Sequence, residues 1–159
     1  MKVAVIFGSA SDKPIMKGAG DVLREFGVAY SAHILSAHRA PEALSETVKM
    51  LEKEGADLII AGAGLAAALP GVIASQTTLP VIGVPIAVGG LGGLDALFSM
   101  AQMPKPIPVA VVGVNNAANA AHLAVEILAV KSPELKEKLL SYRKKMKVDF
   151  ENEYKEATL

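Results

Sequence analysis

Five short apolar-rich runs alternate with helical patterns along this chain, and that alternation restricts the fold more than any other feature. The runs cover residues 2–7, 30–35, 56–61, 80–84 and 109–114. Several are nearly continuous stretches of Val, Ile, Leu and Ala, the mark of strands buried on both faces of a parallel sheet. A helix is expected from Lys13-Pro14 to about Phe26, with Asp12 as its N-cap and Gly27 as its stop. Further helices are expected over 42–53, over 65–75 with an interruption at Pro70-Gly71, over 94–103, and from Asn115-Asn116 to about Val130. Ser132-Pro133-Glu134 then opens a last, charged helix over about 133–155.

Strand and helix in strict alternation predict an α/β fold, a doubly wound parallel sheet with helices on both faces. The expected strand order is 2-1-3-4-5, which opens a crevice between the first and third strands at their carboxyl ends. At 159 residues the chain is expected to be one domain over 1–159. The last helix carries Leu135, Leu139, Leu140, Tyr142, Met146 and Phe150 near helical spacing. Packing on a neighbouring subunit and covering its own sheet fit that pattern equally well.

Apolar residues make up 52% of the chain, and the mean hydropathy is +0.39. No run of 18 apolar residues is unbroken, so no membrane span is expected, and the excess points to apolar surface buried between subunits. Lys+Arg and Asp+Glu both number 16, which argues against a general nucleic-acid binder. The absence of Cys excludes disulfides and thiolate metal sites. The first apolar run is too short for a signal peptide, so the cytoplasm is the expected location.

Chemistry concentrates in the loops that follow the strands. After the first comes Gly8-Ser9-Ala10-Ser11-Asp12. Two hydroxyls and helix N-terminal amides make an anion cradle there. Asp12 repels a phosphate, but it can cap the helix, accept hydrogen bonds from ribose hydroxyls, or do both. After the second comes Ser36-Ala37-His38-Arg39-Ala40-Pro41, with a hydroxyl, an imidazole and a guanidinium within four residues. Arg forks onto phosphate oxygens, and His exchanges a proton near neutral pH.

After the third strand, Gly62-Ala63-Gly64-Leu65-Ala66-Ala67 matches the dinucleotide pattern G-x-G-x-x-A. It follows the wrong strand for that role, and no acid closes the next strand to hold a ribose. The alternative is a loop that lets backbone approach a small ligand. Only 4% of residues are aromatic and none is Trp, which disfavours a flavin site. The acids do not cluster as in a receiver domain. His33, His38 and His122 lack metal-ligand spacing, so no metal site is expected. His33 and His122 read as packing or surface residues, and Lys105, between two prolines, as an exposed turn.

Taken together, these loops, with Leu69-Pro70-Gly71, the run Pro80-Val81-Ile82-Gly83-Val84-Pro85, Gly93-Leu94-Asp95 and Gln102-Met103-Pro104, closely resemble the PurE family of purine biosynthesis. The similarity extends to about Val130. It implies a flavodoxin-like three-layer sandwich assembled as an octamer, with the C-terminal helix reaching a neighbour. It implies an aminoimidazole ribonucleotide substrate, CO2 as a bound intermediate, and neither metal nor organic cofactor. The commoner class is a mutase, which converts N5-carboxyaminoimidazole ribonucleotide to 4-carboxy-5-aminoimidazole ribonucleotide. A second class carboxylates the aminoimidazole ribonucleotide with CO2 directly.

Ser-Ala-His-Arg rather than Ser-Ala-His-Lys, and Ala-Gly-Ala-Gly followed by Leu-Pro-Gly, side with the mutase. By resemblance, His38 is catalytic, Ser9, Asp12 and Arg39 bind substrate, and Ser11 and Ser36 add phosphate contacts. Gly62, Ala63 and Gly64 line the reacting region. The chain departs from the usual mutase pattern at Leu65 (usually Gly), Ala68 (usually His), Ala40 (usually Thr) and Ala96 (usually Ser). Ala68 keeps two rivals open: the direct carboxylase, and a non-catalytic nucleotide-binding subunit.

Overall fold

In a computed structural model, which describes residues 1–153, the apolar runs become β1 (Lys2–Phe7), β2 (Ala29–Ile34), β3 (Leu58–Gly64), β4 (Val81–Ile86) and β5 (Ala110–Val111). All pair in parallel, in the order β2-β1-β3-β4-β5. The helices are α1 (Lys13–Glu25), α2 (Pro41–Lys53), α3 (Leu69–Ala74), α4 (Leu94–Ala101), α5 (Ala117–Ala129) and α6 (Pro133–Glu153). Fold class and strand order match the sequence expectation.

The two-residue period of a strand divides the core in two. Val3, Val5, Phe7, Leu58 and Ile60 face α1 and α5. Ala4, Ile6, Ile59 and Ala61 face the layer of α2, α3 and α4. The connections change face between β1 and β3, and this opens the crevice at the carboxyl edge.

Three of the departures from the expected boundaries have a clear physical reason. β3 runs on through Gly62-Ala63-Gly64, which were expected as loop. They pair with Val84, Pro85 and Ile86. A Cβ on Gly62 would lie 2.4 Å from the Met16 sulfur, so glycine here lets α1 pack onto the strand. β5 keeps only two of its six expected residues. The Pro85 carbonyl accepts from Asn115 N–H at 2.8 Å, so Pro85 faces β5 but has no N–H to donate, and the ladder ends after Gly83. The helix expected from 65 starts at Leu69, with Pro70 in its first turn, where no N–H is needed.

α6 begins as expected: Ser132 Oγ accepts from Leu135 N–H at 3.3 Å. Leu135 is buried, and Leu139 and Tyr142 pack against the α1–α5 core. Beyond Tyr142 every described residue is exposed. Residues 154 and 155 of the expected helix lie outside the described residues.

Gly93, at the start of α4, has φ +87°, and a Cβ there would lie 2.7 Å from Val114 Cγ1 and 3.1 Å from Ala87 Cα. Gly93→Ala is expected to destabilise the fold by about 1–3 kcal/mol. The urea midpoint should fall with an unchanged m-value; an unmoved midpoint contradicts this packing.

Candidate active site

The carboxyl ends of β1, β2 and β3 open into one cleft of about 470 Å³. The loop after β1 lines it with Gly8, Ser9, Ser11 and Asp12, and the loop after β2 with Ser36, Ala37, His38 and Arg39. The end of β3 and the following turn add Ala63, Gly64 and residues 65–69, and Val88 reaches in from the loop after β4.

The first loop is shaped by a short 3-10 turn over Ala10–Asp12, capped by Ser9. Ser9 Oγ accepts from the Ser11 hydroxyl at 2.9 Å and more weakly from Ser11 N–H at 3.4 Å. Asp12 was expected to cap α1, but its side chain makes no cap hydrogen bond there. It turns back to accept Ser9 N–H at 3.1 Å, closing a reciprocal capping box. Ser9 stands three residues ahead of Asp12, and that spacing lets the pair satisfy each other. Asp12 is 5% exposed, a charged group buried at the cleft wall. Its other oxygen lies 3.3 Å from Ser11 Oγ, whose one proton is shared between it and the nearer Ser9 Oγ. A carboxylate has about four acceptor positions, so capacity remains for ligand hydroxyls.

Arg39 ties the first two loops together. Its backbone N–H and Nε donate to Ser36 Oγ at 3.3 and 3.2 Å. Its Nη2 donates to the Gly8 carbonyl at 3.0 Å. Among the described residues no carboxylate pairs with this guanidinium, so its charge is available to an anion. The His38 ring makes no hydrogen bond among the described residues, which leaves both nitrogens for a ligand. Both side chains are exposed in the isolated protomer. Pro41 is the first residue of α2, one residue ahead of the expected start, and ends the loop cleanly.

The far wall is apolar and small: Ala63, Ala66, Ala67 and Ala68. Leu65 interrupts it with a φ of +52°. For a branched side chain this conformation costs about 1–3 kcal/mol. The cleft therefore combines an anion-binding end, a buried acceptor for hydroxyls, a free imidazole and an apolar wall.

All the predicted site residues except Gly62 line this cleft. Gly62 is buried under Met16, and its carbonyl accepts from Gly8 N–H at 3.2 Å, so it supports the first loop from below. The dinucleotide pattern fails: both its glycines stay in the strand, and no helix starts until Leu69. His33 bonds Ser31 Oγ at 3.0 Å, and His122 packs between Phe26 and Tyr142. Sequence reasoning missed Val88 and Leu69. The glycine-rich stretch from 89 to 93 was the available signal that this loop could fold back to the cleft.

The carboxyls held below their usual range lie elsewhere. Asp21 is lowered chiefly by its hydrogen bond from Lys17, and Glu54 by that from Lys2, both at the surface. Among the described residues no group of His, Cys, Asp or Glu could hold a metal ion, and no helix is long and apolar enough to cross a membrane.

Residues 2–149 match the family model described as AIR carboxylase. N5-carboxyaminoimidazole ribonucleotide mutase of Pyrococcus horikoshii is 56% identical over 153 residues, 96% of this chain and 86% of that protein. The mutase of Thermotoga maritima is 52% identical over 146 residues, covering 92% of this chain and 85% of that one. The crystal structure of Treponema denticola PurE superposes with a TM-score of 0.85 at 28% identity, covering 98% of this chain and 99% of that one.

Ribose 5-phosphate should bind the cleft through Arg39. Arg39→Ala is expected to weaken that affinity by about 10- to 100-fold, the worth of charged hydrogen bonds, in isothermal titration calorimetry. Unchanged affinity in a folded variant would put the phosphate elsewhere.

Proposed function

The chain belongs to the AIR carboxylase family, and from that premise we propose that its cleft is the active site of an N5-carboxyaminoimidazole ribonucleotide mutase of purine biosynthesis. The observation that carries this reading is the meeting of three loops on one cleft. A cationic, hydroxyl-rich end, a buried carboxylate and an unpaired imidazole there face a wall of alanines. The mutases from Pyrococcus and Thermotoga exceed half identity over nearly all of the chain.

Arg39, Ser9, Ser11 and Ser36 bind the 5′-phosphate, and Asp12 accepts from the ribose hydroxyls. Binding energy from this remote phosphate positions the reacting ring. Ala63, Gly64 and the alanines after them provide a dry wall beside the imidazole. The bond from the exocyclic nitrogen to the carboxylate carbon breaks, CO2 is released, and the nitrogen gains a proton. C4 then attacks the CO2, and the C4 proton leaves as the ring regains aromaticity. One proton is taken up and one lost, so a single imidazole, His38, serves first as acid and then as base. The transformation is redox-neutral and moves one carboxylate.

The chain works as a homo-oligomer, with eight protomers as the family resemblance implies. Exposed Leu140, Met146 and Val148 on α6, with Leu91 in the loop after β4 and Leu94 and Phe98 on α4, support subunit contacts. The cytoplasm suits a biosynthetic enzyme of this kind, and residues 1–159 act as one domain.

His38→Asn should bind the nucleotide normally and lose about 10²–10⁴-fold in kcat. Steady-state assays on the N5-carboxy compound, run beside the aminoimidazole ribonucleotide with bicarbonate, test both residue and reaction. Near-normal turnover of the variant removes His38 from its role. Wild-type turnover only with bicarbonate makes the protein a direct carboxylase, and binding without turnover of either compound makes it a nucleotide-binding subunit.

A further inference from the structure

Leu65 occupies a position whose backbone favours glycine. Its φ of +52° is a left-handed conformation that a branched side chain adopts at a cost. The side chain is 54% exposed and lines the cleft. Its Cδ2 lies 3.2 Å from where a Cβ on Gly89 would sit, so it rests over the backbone of the loop after β4. Val88 of that loop packs back on Gly64: its Cγ2 is 2.8 Å from a Cβ built there, and it too lines the cleft.

The loop is held at its base. Ala87 N–H donates to Asn115 Oδ1 at 2.8 Å, and Gly93 is wedged against Ala87 and Val114. Its tip carries Gly89, Gly90 and Gly92, which supply no side chains, and Leu91, which is exposed and does not line the cleft. At this rim the bulk comes from Leu65 and Val88, while the wall below them is alanine.

We propose that Leu65 is a specificity-determining residue of the carboxylate transfer, closing with Val88 the apolar rim of the cleft so that released CO2 is recaptured by C4. The proposal rests on the mutase reading. CO2 is small and uncharged, so the phosphate-binding groups cannot retain it, whereas apolar bulk at the exit slows its escape. When CO2 escapes, the carbon–nitrogen bond has broken and the nitrogen has taken a proton. The product is then the free amine and CO2, with no new carbon–carbon bond. The same groups exclude water from the reacting carboxylate.

The test uses N5-carboxy substrate labelled with ¹³C in the carboxylate, turned over in unlabelled bicarbonate. Label retained in the 4-carboxy product is read by mass spectrometry, after subtraction of non-enzymatic decay. Wild type should retain label. Leu65→Ala should raise label loss roughly tenfold, the scale of lost contacts in an apolar pocket, and Leu65→Met should restore retention. Equal retention in Leu65→Ala and wild type, or equal loss in Leu65→Met and Leu65→Ala, overturns the proposal. Wild type that loses its label while still isomerising the substrate overturns it too, but leaves the mutase standing. Wild type with no turnover of the N5-carboxy compound overturns the mutase reading, and this inference with it.

Discussion

The hydrogen bond from Arg39 Nη2 to the Gly8 carbonyl joins two loops that are far apart in sequence. It ties together the serines after β1 and the imidazole after β2, which the sheet has already brought side by side. The parallel ladder makes the bond possible. β1 and β2 pair in register to Phe7 and Ile34, so both loops leave the sheet at one level. β3 then pairs on the other side of β1, and the Gly62 carbonyl holds Gly8 from below. A site with three origins in the chain thus depends on one sheet edge and a few polar bonds across it.

Much of this was legible in the sequence, because burial on both faces writes strands as apolar runs. The strand order and the level of the crevice followed from the alternation. The cleft residues followed from the loops at the strand ends taken together, since polar residues in any one of them fit a solvated turn equally well. Resemblance added the individual roles, which spacing alone left open. Gly62-Ala63-Gly64 misled because glycine usually ends a strand. Here the small residues make room for Met16 at Gly62 and for Val88 at Gly64. Asp12 stands at the N-cap of α1 as expected, but a capping carboxylate can serve either of two adjoining helical turns. The choice depends on where Ser9 N–H points, which is a tertiary fact.

Two features of the cleft went unread in the sequence. The arrival of Val88 depends on how the glycine-rich loop is pinned to Asn115, which itself has φ +59°. The left-handed conformation of Leu65 shows only in the backbone. Both concern the apolar rim, where no polar motif marks the residues. The polar half of the site is thus written in residue types, and the apolar half in geometry. For α6 the apolar spacing left two packings open, and the exposure of every described residue after Tyr142 shows only in the structure.

The account stands or falls on one ligand pose. A crystal structure with the 4-carboxy product bound measures it directly. The expected result has the phosphate on Arg39 and the serines of the first two loops, and the ribose hydroxyls on Asp12. A His38 ring nitrogen should lie about 3 Å from the reacting C4 region, within reach for proton transfer. A phosphate bound elsewhere, or a His38 ring turned away from the ligand, contradicts it.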